Sequence, residues 1–314
     1  MNRVLPFTAF LLVQLVALPA ALVGAVPQSP AADSVNFPLL GKLKPRSAKE
    51  IASSSWSVGG ETLDRDFGVY ANYKRFLGPL GAKAIRLQAG WAKCETKPGI
   101  YDFAWLDEVA NDAIAQEVQP WLGVSYGNRL YPEGGGTGLG GALPKSPQAL
   151  AAWDNWVRAV VRRYQDRVNE WELWNEPDLG PSPADEYAEF FIRTAEIIRA
   201  EQPKARLFGL ALAHKLPYAE SFLARIHQRG KLALIDAITV HGYPHIPALD
   251  IALPRGEFTE PVYADLRTGK VHAIPKANWS RVGDGVVMRQ IPVYDSPILI
   301  AEKGVVSMEL TTSP

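Results

Sequence analysis

From Ile51 onward, short apolar runs alternate with longer amphipathic ones. The short runs have the length of buried strands, and the longer ones repeat apolar residues at helical spacing. This alternation predicts parallel strands joined by right-handed crossovers. The predicted strands are Ile51–Val58, Ala84–Gln88, Gln119–Ser125, Val168–Trp174, Arg206–Leu210 and Ile235–Val240. The predicted helices cover about Leu63–Leu80, Trp105–Val118, Pro147–Tyr164 with Ser146 as N-cap, Pro183–Ala200 and Pro217–Gln228.

Six strand–helix units indicate an α/β fold of the (β/α)₈ TIM-barrel type rather than a doubly wound sheet. Because only about six units are evident, we predict an incomplete barrel over residues 46–247. The glycine-rich stretch Gly134–Gly141 is interpreted as a surface loop, since no strand immediately precedes it and no helix opens on it. The sequence therefore does not predict a nucleotide-binding fold.

After Tyr243 the pattern changes. Residues 261–275 alternate with period two around Arg267-Thr268-Gly269-Lys270, which is typical of a β-hairpin. Residues 285–306 continue in strand-like runs broken by prolines, and no amphipathic helix follows the sixth strand. We therefore predict a small β-rich domain over residues 255–314 rather than a seventh and an eighth barrel unit.

Polar side chains meet at the ends of three predicted strands. Catalytic groups of TIM barrels lie at the C-terminal ends of strands, and Glu176 follows the fourth strand there. Strand parity places Glu170, Glu172, Trp174 and Glu176 on one face. The same parity turns Arg86 of the second strand and Thr239, His241 and Tyr243 of the sixth toward the barrel interior. A site that protonates and positions a sugar needs such convergence.

Four stretches within about residues 51–243 stand out, namely "IRLQAGW", "GIYDFAWLD", "WELWNEPD" and "VHGYP". With them the chain resembles clan A glycoside hydrolases, which are retaining (β/α)₈-barrel enzymes. The resemblance implies that Glu176 is the general acid/base and that Asn175 binds the sugar 2-hydroxyl. It also implies that Arg86 orients the nucleophile and that His241 and Tyr243 lie close to it.

A retaining mechanism requires a second carboxylate about 5–5.5 Å from the first. In the clan it ends the seventh strand, and Glu302 in "PILIAEKG" fits that local pattern. However, no helix precedes this run, and the surrounding sequence resembles the C-terminal β-domain of some bacterial members. The favoured interpretation assigns Glu302 to the β-domain, so that the nucleophile is missing. The alternative makes Glu302 the nucleophile.

Several residues keep a purely structural alternative. Glu176 could simply begin a helix, and Arg86 could be a buried partner of Glu172. The side chains of Trp91 and Trp174 are candidates for sugar binding, but both, like Trp121, could equally belong to the core. His241 and His245 are four residues apart, but prolines interrupt the spacing and no third ligand is evident, so we predict no metal site and no cofactor.

The N-terminus has the features of an export signal. Arg3 precedes an apolar run, and Val23-Gly24-Ala25 is a plausible cleavage site, so we predict a signal peptide over residues 1–25 and a linker over residues 26–45. The expected location is periplasmic or extracellular, with an N-terminal membrane anchor as the alternative. Because Lys+Arg and Asp+Glu are both 33, nothing suggests a nucleic-acid partner, and no stable membrane partner is expected after cleavage.

These features together predict an exported glycoside hydrolase that cleaves β-linked oligo- or polysaccharides. Two alternatives remain. The protein could be a catalytically inactive barrel that keeps a sugar-binding cleft, or the product of a shortened gene that does not fold alone because open sheet edges expose apolar surface.

Overall fold

The computed structural model describes residues 35–241, 248–253, 258–265, 268–283, 285–293 and 298–310. The chain divides into two units, Arg46–Gly242 and a second formed by Met1–Pro45 with Tyr243–Pro314. The predicted signal peptide lies outside the described residues. Within the described ranges, no helix combines the length and apolar character needed to cross a membrane.

The secondary structure is as follows, in chain order. The strands are β1 Leu39–Leu43, β2 Ser57–Gly59, β3 Ala84–Gln88, β4 Glu95–Lys97, β5 Ile100–Tyr101, β6 Gln119–Val124, β7 Glu170–Leu173, β8 Arg206–Leu212, β9 Ala237–Val240, β10 Ala248–Leu253, β11 Pro261–Asp265, β12 Lys270–Ala273, β13 Trp279–Val282, β14 Gly285–Pro292, β15 Ile298–Glu302 and β16 Met308–Leu310. The α-helices are α1 Tyr70–Leu77, α2 Trp91–Cys94, α3 Ala104–Ala115, α4 Pro147–Tyr164, α5 Ala184–Glu201 and α6 Leu216–Gln228. Short 3₁₀ helices cover Ala48–Glu50, Leu63–Arg65, Pro177–Leu179, Leu232–Leu234, Lys276–Asn278 and Lys303–Val305.

A six-stranded parallel sheet forms the centre of the Arg46–Gly242 unit, with strand order β2-β3-β6-β7-β8-β9. In the described residues, all six predicted strands and the five predicted helices between them are present, and the strands follow one another in chain order as in a barrel wall. The α/β fold predicted from the sequence is therefore confirmed. At the start of the unit the structure differs from the prediction. The first strand is only three residues long, and α1 begins at Tyr70 because left-handed Thr62 and Asp66 flank a 3₁₀ turn.

The helices pack on one face of this sheet through large aromatic side chains. Trp153, Trp156, Phe191 and Phe222 are fully buried there, and burial of each such side chain contributes about 1.5–3 kcal/mol. A Cβ atom at Gly209 in β8 would lie 3.1 Å from the Phe191 ring, so glycine there allows close approach of α5. Helix α4 begins as predicted, with the Ser146 hydroxyl accepting from the amide of Ala149 at 3.1 Å.

The second unit contains antiparallel sheets with strand orders β15-β11-β12-β1-β16 and β10-β14-β13. The hairpin predicted around Gly269 is present, with β11 pairing β12. The expectation of a linker over residues 26–45 is wrong for its last part, because Leu39–Leu43 forms β1 between β12 and β16. The hydrophobic core of the second unit includes Tyr263, Ile274, Trp279 and Met288.

Candidate active site

Glu176 follows β7, an interior strand of the parallel sheet. The backbone is left-handed at Trp174 (φ 72°) and at Glu176 (φ 47°). Each such residue costs of order 1–3 kcal/mol, and these residues cluster at functional sites. The Glu176 amide donates to the Ala211 carbonyl at 3.1 Å, and its side chain is only 7% exposed. Glu176 is also the N-cap residue of a short 3₁₀ helix. It therefore lies at a strand end, as the catalytic interpretation expects, and begins a helix, as the structural alternative expects.

The left-handed turn changes the position of Trp174. The strand ends at Leu173, so the alternation that would have placed Trp174 beside Glu172 does not extend this far. The indole packs against Tyr126, Trp153 and Phe190, with ring centroids 5.6–5.9 Å apart, and is buried. The predicted placement of Trp174 on the acidic face is therefore wrong, and its ring belongs to the core.

The structure brings His241 to the carboxyl of Glu176. His241 directly follows β9, and its amide donates to the Leu212 carbonyl at 2.7 Å, which continues the ladder with β8. Its Nδ1 atom lies 2.6 Å from Oε1 of Glu176. At this distance a hydrogen bond joins the two groups, so the imidazole can orient the carboxyl.

The Arg86 guanidinium donates hydrogen bonds to three side chains near the C-terminal edge of the parallel sheet, which we call its rim. Its Nε donates to Oε2 of Glu172 at 2.8 Å, and Nη2 donates to the same oxygen. Nη2 also donates to Oδ1 of Asn175 at 2.8 Å, and Nη1 donates to Oε1 of Glu61 at 2.7 Å. Burial acts against the charged form, but Glu172 and Glu61 outweigh it and raise the pKa of Arg86. Arg86 is thus a buried partner of Glu172 and also holds Asn175 in place.

Glu172 is fully buried and both of its carboxylate oxygens are bonded. Oε2 accepts from Arg86, and Oε1 accepts from the Thr239 hydroxyl at 2.5 Å. The Thr239 hydroxyl in turn accepts from the Ala211 amide at 3.0 Å. A buried carboxylate is tolerated only when it is paired and hydrogen-bonded, and Glu172 of β7 meets that condition through Arg86 of β3 and Thr239 of β9.

Asp178 fixes the segment that follows Glu176, a role the sequence analysis did not identify. Its carboxylate accepts from the amides of Ala213 and His214 at 3.0 Å and of Lys215 at 3.1 Å. Burial tends to raise the pKa of Asp178, but the three amides outweigh it and hold that pKa below its usual value. Its position two residues after Glu176 was the only sequence signal for this clamp.

Trp91 and Trp121, the other tryptophans considered for sugar binding, lie in different environments. Trp91 is fully buried, stacks on Tyr131 at 5.6 Å and donates to Glu95 at 2.5 Å, so it is placed in the core rather than in a sugar subsite. Trp121 is half-buried, and the Arg86 guanidinium lies 5.6 Å from its ring centroid. Trp121 is therefore the tryptophan of this group that lies beside the candidate site.

A second cluster of polar side chains lies at the C-terminal ends of β3 and β6. Arg65 donates to Gln88 at 2.9 Å, and its guanidinium lies 4.8 Å from the Tyr126 ring centroid. Gln88 donates to the Tyr126 hydroxyl at 3.3 Å, and burial raises the pKa of neighbouring Asp64. Gln88 shares strand parity with Arg86, which was the signal available in the sequence. Among the described residues, no group of three His, Cys, Asp or Glu side chains could hold a metal ion.

Comparison with known families decides the relationship. The sequence model of Glycosyl hydrolases family 39 matches residues 89–285, which is more than half of the chain. The chain belongs to this family. Family 39 is a clan A family of retaining (β/α)₈-barrel enzymes, so the predicted relationship to clan A is confirmed.

Solved structures of family 39 and of other glycoside hydrolases match part of the chain. A family 39 glycoside hydrolase from Bacteroides cellulosilyticus WH2 is 19% identical, with 59% of this chain and 37% of that one covered and a TM-score of 0.47. A family 39 β-xylosidase from Caulobacter crescentus is 22% identical, with 66% and 49% covered and a TM-score of 0.46. The exo-β-1,4-mannosidase Op5Man5 from Opitutaceae bacterium strain TAV5 is 19% identical, with 60% and 38% covered and a TM-score of 0.47.

The chain thus spans less than half the length of these three structures. No match was found among curated proteins.

Of the residues considered from the clan resemblance, Glu302 belongs to the second unit and Tyr243 lies outside the described residues. Glu302 ends β15, a strand of the antiparallel sheet in the second unit. Its carboxylate accepts from the Thr259 hydroxyl at 2.7 Å and from the amides of Thr259 and Glu260 at 2.9 Å. The Thr259 hydroxyl is the main cause that lowers the pKa of Glu302. Tyr243 lies outside the described residues.

Proposed function

We propose that this family 39 protein is a β-glycosidase in which Glu176 is the general acid/base of a retaining mechanism. One observation supports the proposal above all others. A shielded carboxyl at the C-terminal end of an interior strand lies 2.6 Å from a histidine and directly follows an asparagine that an arginine holds in place. A proton donor for a glycosidic oxygen needs such a setting, because its carboxyl must be oriented and must carry a proton at the start of the reaction.

In the first step the Glu176 carboxyl gives its proton to the glycosidic oxygen while the bond from that oxygen to the anomeric carbon breaks. A retaining mechanism requires a second carboxylate for this step, which bonds to the anomeric carbon as the bond to the glycosidic oxygen breaks and forms a glycosyl ester. In the second step the Glu176 carboxylate takes a proton from water, and the water oxygen displaces the ester. Glu176 ends the cycle protonated, and the anomeric configuration is retained.

His241 and Asn175 assist these steps in the proposed mechanism. His241 orients the Glu176 carboxyl through the 2.6 Å contact. Oδ1 of Asn175 is engaged by Arg86, so the amide nitrogen is left to donate to the sugar 2-hydroxyl that the clan resemblance assigns to it. Trp121 offers a half-buried ring beside Arg86 for packing against a sugar face.

A panel of 4-nitrophenyl β-glycosides tests the proposal. The panel contains the xyloside and the mannoside, chosen from the names of two matching structures, and the galactoside and glucoside. We expect release of nitrophenol by the unaltered protein and a loss of about 10²–10⁴-fold in Glu176→Gln. Glu170→Gln, on the other end of the same strand, is the matched control and should retain activity. Failure of the unaltered protein to hydrolyse any member contradicts the proposal.

A second candidate is a sugar-binding protein without turnover. The observation that favours it is the engagement of the Glu302 carboxylate by Thr259 and Glu260 within an antiparallel sheet, since Glu302 is the residue whose sequence best fits the nucleophile. Binding of the panel sugars by calorimetry without release of nitrophenol would favour this candidate.

We further propose that the protein is exported, with a cleaved signal over residues 1–25. The apolar N-terminal run after Arg3 supports this proposal. Sequencing the N-terminus of protein recovered from the periplasm or medium tests it. A start near Val26 is the expected result, and an intact N-terminus in the membrane fraction would indicate an anchor instead.

A further inference from the structure

The rim of the parallel sheet carries a carboxylate that the sequence analysis did not single out. Glu61 lies two residues after the end of β2, where the Gly60 amide still donates to the Arg86 carbonyl at 2.8 Å. A Cβ atom at Gly59 would lie 2.4 Å from Oε2 of Glu61, so glycine there leaves room for the carboxylate. Glu61 therefore lies at the same end of the sheet as Asn175 and Glu176.

Glu61 and Glu172 share one cation but differ in exposure. Glu172 is fully buried and both of its oxygens are bonded, so it is the partner that compensates the charge of Arg86. The Glu61 side chain is 34% exposed, and only its Oε1 meets Arg86. In the described part of the chain, Oε2 of Glu61 has no hydrogen-bond donor. Glu61 is thus a surplus carboxylate with an acceptor open to solvent.

The position of Glu61 relative to Asn175 is set by the same guanidinium. Nη1 of Arg86 donates to Glu61, and Nη2 donates to Asn175. Because these nitrogens are adjacent on one rigid planar group, the carboxylate and the amide are held side by side. The Asn175 amide nitrogen can donate and the Glu61 oxygen can accept, so the pair presents complementary groups to neighbouring hydroxyls of one sugar.

We propose that Glu61 accepts a hydrogen bond from the 3-hydroxyl of the sugar whose 2-hydroxyl Asn175 binds. This inference rests on the proposed glycosidase function. The ring carbons next to C2 are C1, which reacts, and C3, so the hydroxyl beside the one at Asn175 is the 3-hydroxyl. A hydrogen bond to a carboxylate is stronger than one to a neutral acceptor, so Glu61 selects sugars that carry this hydroxyl within reach.

Binding of deoxy sugars tests this assignment. The ligands are the panel glycoside that the unaltered protein binds best and its 3-deoxy and 4-deoxy analogues, with dissociation constants from calorimetry. The proteins are the unaltered chain, Glu61→Gln and Glu170→Gln. Glu170 is the matched control, since its side chain is 33% exposed against 34% for Glu61 and is also paired with an arginine.

We expect Glu61→Gln to weaken binding of the parent glycoside about 10- to 100-fold. Binding of the 3-deoxy analogue should stay nearly unchanged, because the analogue lacks the hydroxyl that donates to Glu61 and has no such bond to lose. The 4-deoxy analogue should lose affinity in Glu61→Gln as the parent does, and Glu170→Gln should bind all three as the unaltered protein does. Equal weakening of the parent and the 3-deoxy analogue overturns the assignment, since Glu61 would then act only through Arg86.

The unaltered protein provides a test that does not depend on the folding of a variant. It should bind the 3-deoxy analogue about 10- to 100-fold more weakly than the parent, and equal binding overturns the assignment. If the unaltered protein binds no panel glycoside, the proposed function and the role of Glu61 both fail. If it binds and hydrolyses the parent but shows no preference for the 3-hydroxyl, only the role of Glu61 fails.

Discussion

Nδ1 of His241 lies 2.6 Å from Oε1 of Glu176, and the two residues follow strands that are separated by a third. A second contact joins the same pair of strands, because Thr239 in β9 donates to Glu172 in β7 at 2.5 Å. The rim of the sheet is therefore connected across β8 by two polar contacts. One of them holds the candidate acid/base, and the other holds the buried carboxylate that fixes Arg86 and Asn175.

Replacement of His241 by alanine should lower kcat about 10- to 100-fold and change KM little. The Glu176 carboxyl would lose a hydrogen bond that orients it for proton transfer, and a bond to a charged group is worth about 1.5–3 kcal/mol. Steady-state kinetics on the best panel glycoside provide the measurement. His227→Ala, on the exposed face of α6, is the control. An unchanged kcat in His241→Ala would show that the contact has no role in catalysis.

Replacement of Glu172 by leucine should lower the free energy of unfolding by about 3–5 kcal/mol, because Arg86 would keep its charge in a buried site with fewer partners. Urea unfolding followed by tryptophan fluorescence is suitable, since all but one of the nine tryptophans lie in the Arg46–Gly242 unit. Glu170→Leu removes an exposed ion pair and should cost below about 1 kcal/mol. Equal losses in the two variants would contradict the role of Glu172.

Replacement of Asp178 by asparagine should destabilise the protein by about 1–3 kcal/mol at neutral pH, since three backbone amides lose a charged acceptor. The pKa of Asp178 is lower in the folded than in the unfolded chain. Its contribution to stability is therefore fully present above about pH 4 and decreases as the pH falls through the folded-state value. Thermal unfolding at several pH values should show that the stabilities of the two proteins converge below about pH 4. A difference in stability that stays constant with pH would contradict the role of the Asp178 carboxylate.

Replacement of Glu302 by glutamine should lower thermal stability slightly and leave the dissociation constant of the best panel glycoside within about twofold of that of the unaltered protein. The Glu302 carboxylate bonds Thr259 and Glu260 within the antiparallel sheet, which gives it a structural task. Glu309→Gln, on exposed β16 of the same unit, serves as the control. Complete loss of hydrolysis in Glu302→Gln alone would instead identify Glu302 as the nucleophile.

The features that the sequence predicted correctly depend on local chemistry. The six strands and the five helices between them follow from apolar runs of strand length between amphipathic segments, and the start of α4 follows from Ser146 with proline behind it. The hairpin around Gly269 follows from period-two alternation across a turn. In each case, residues close in the chain determine the local structure.

The features that the sequence did not predict depend on contacts between distant residues. Strand β1 pairs with residues more than 220 positions later, which no local pattern indicates. Trp174 left its predicted face because the chain turns at a left-handed residue after Leu173. The roles of Glu61 and Asp178 arise from Arg86 and from the amides after β8, so neither could be recognised before these segments were placed together.

The most direct test of the central claim is the response of Glu176→Ala to azide. Removal of the acid/base should slow hydrolysis of the best 4-nitrophenyl glycoside about 10²–10⁴-fold, and azide should restore the rate because it needs no base to attack the glycosyl ester. NMR of the product should then show a glycosyl azide with the β-configuration of the substrate. An unchanged rate in Glu176→Ala, a lost rate that azide does not restore, or an α-configured azide would contradict the assignment of Glu176.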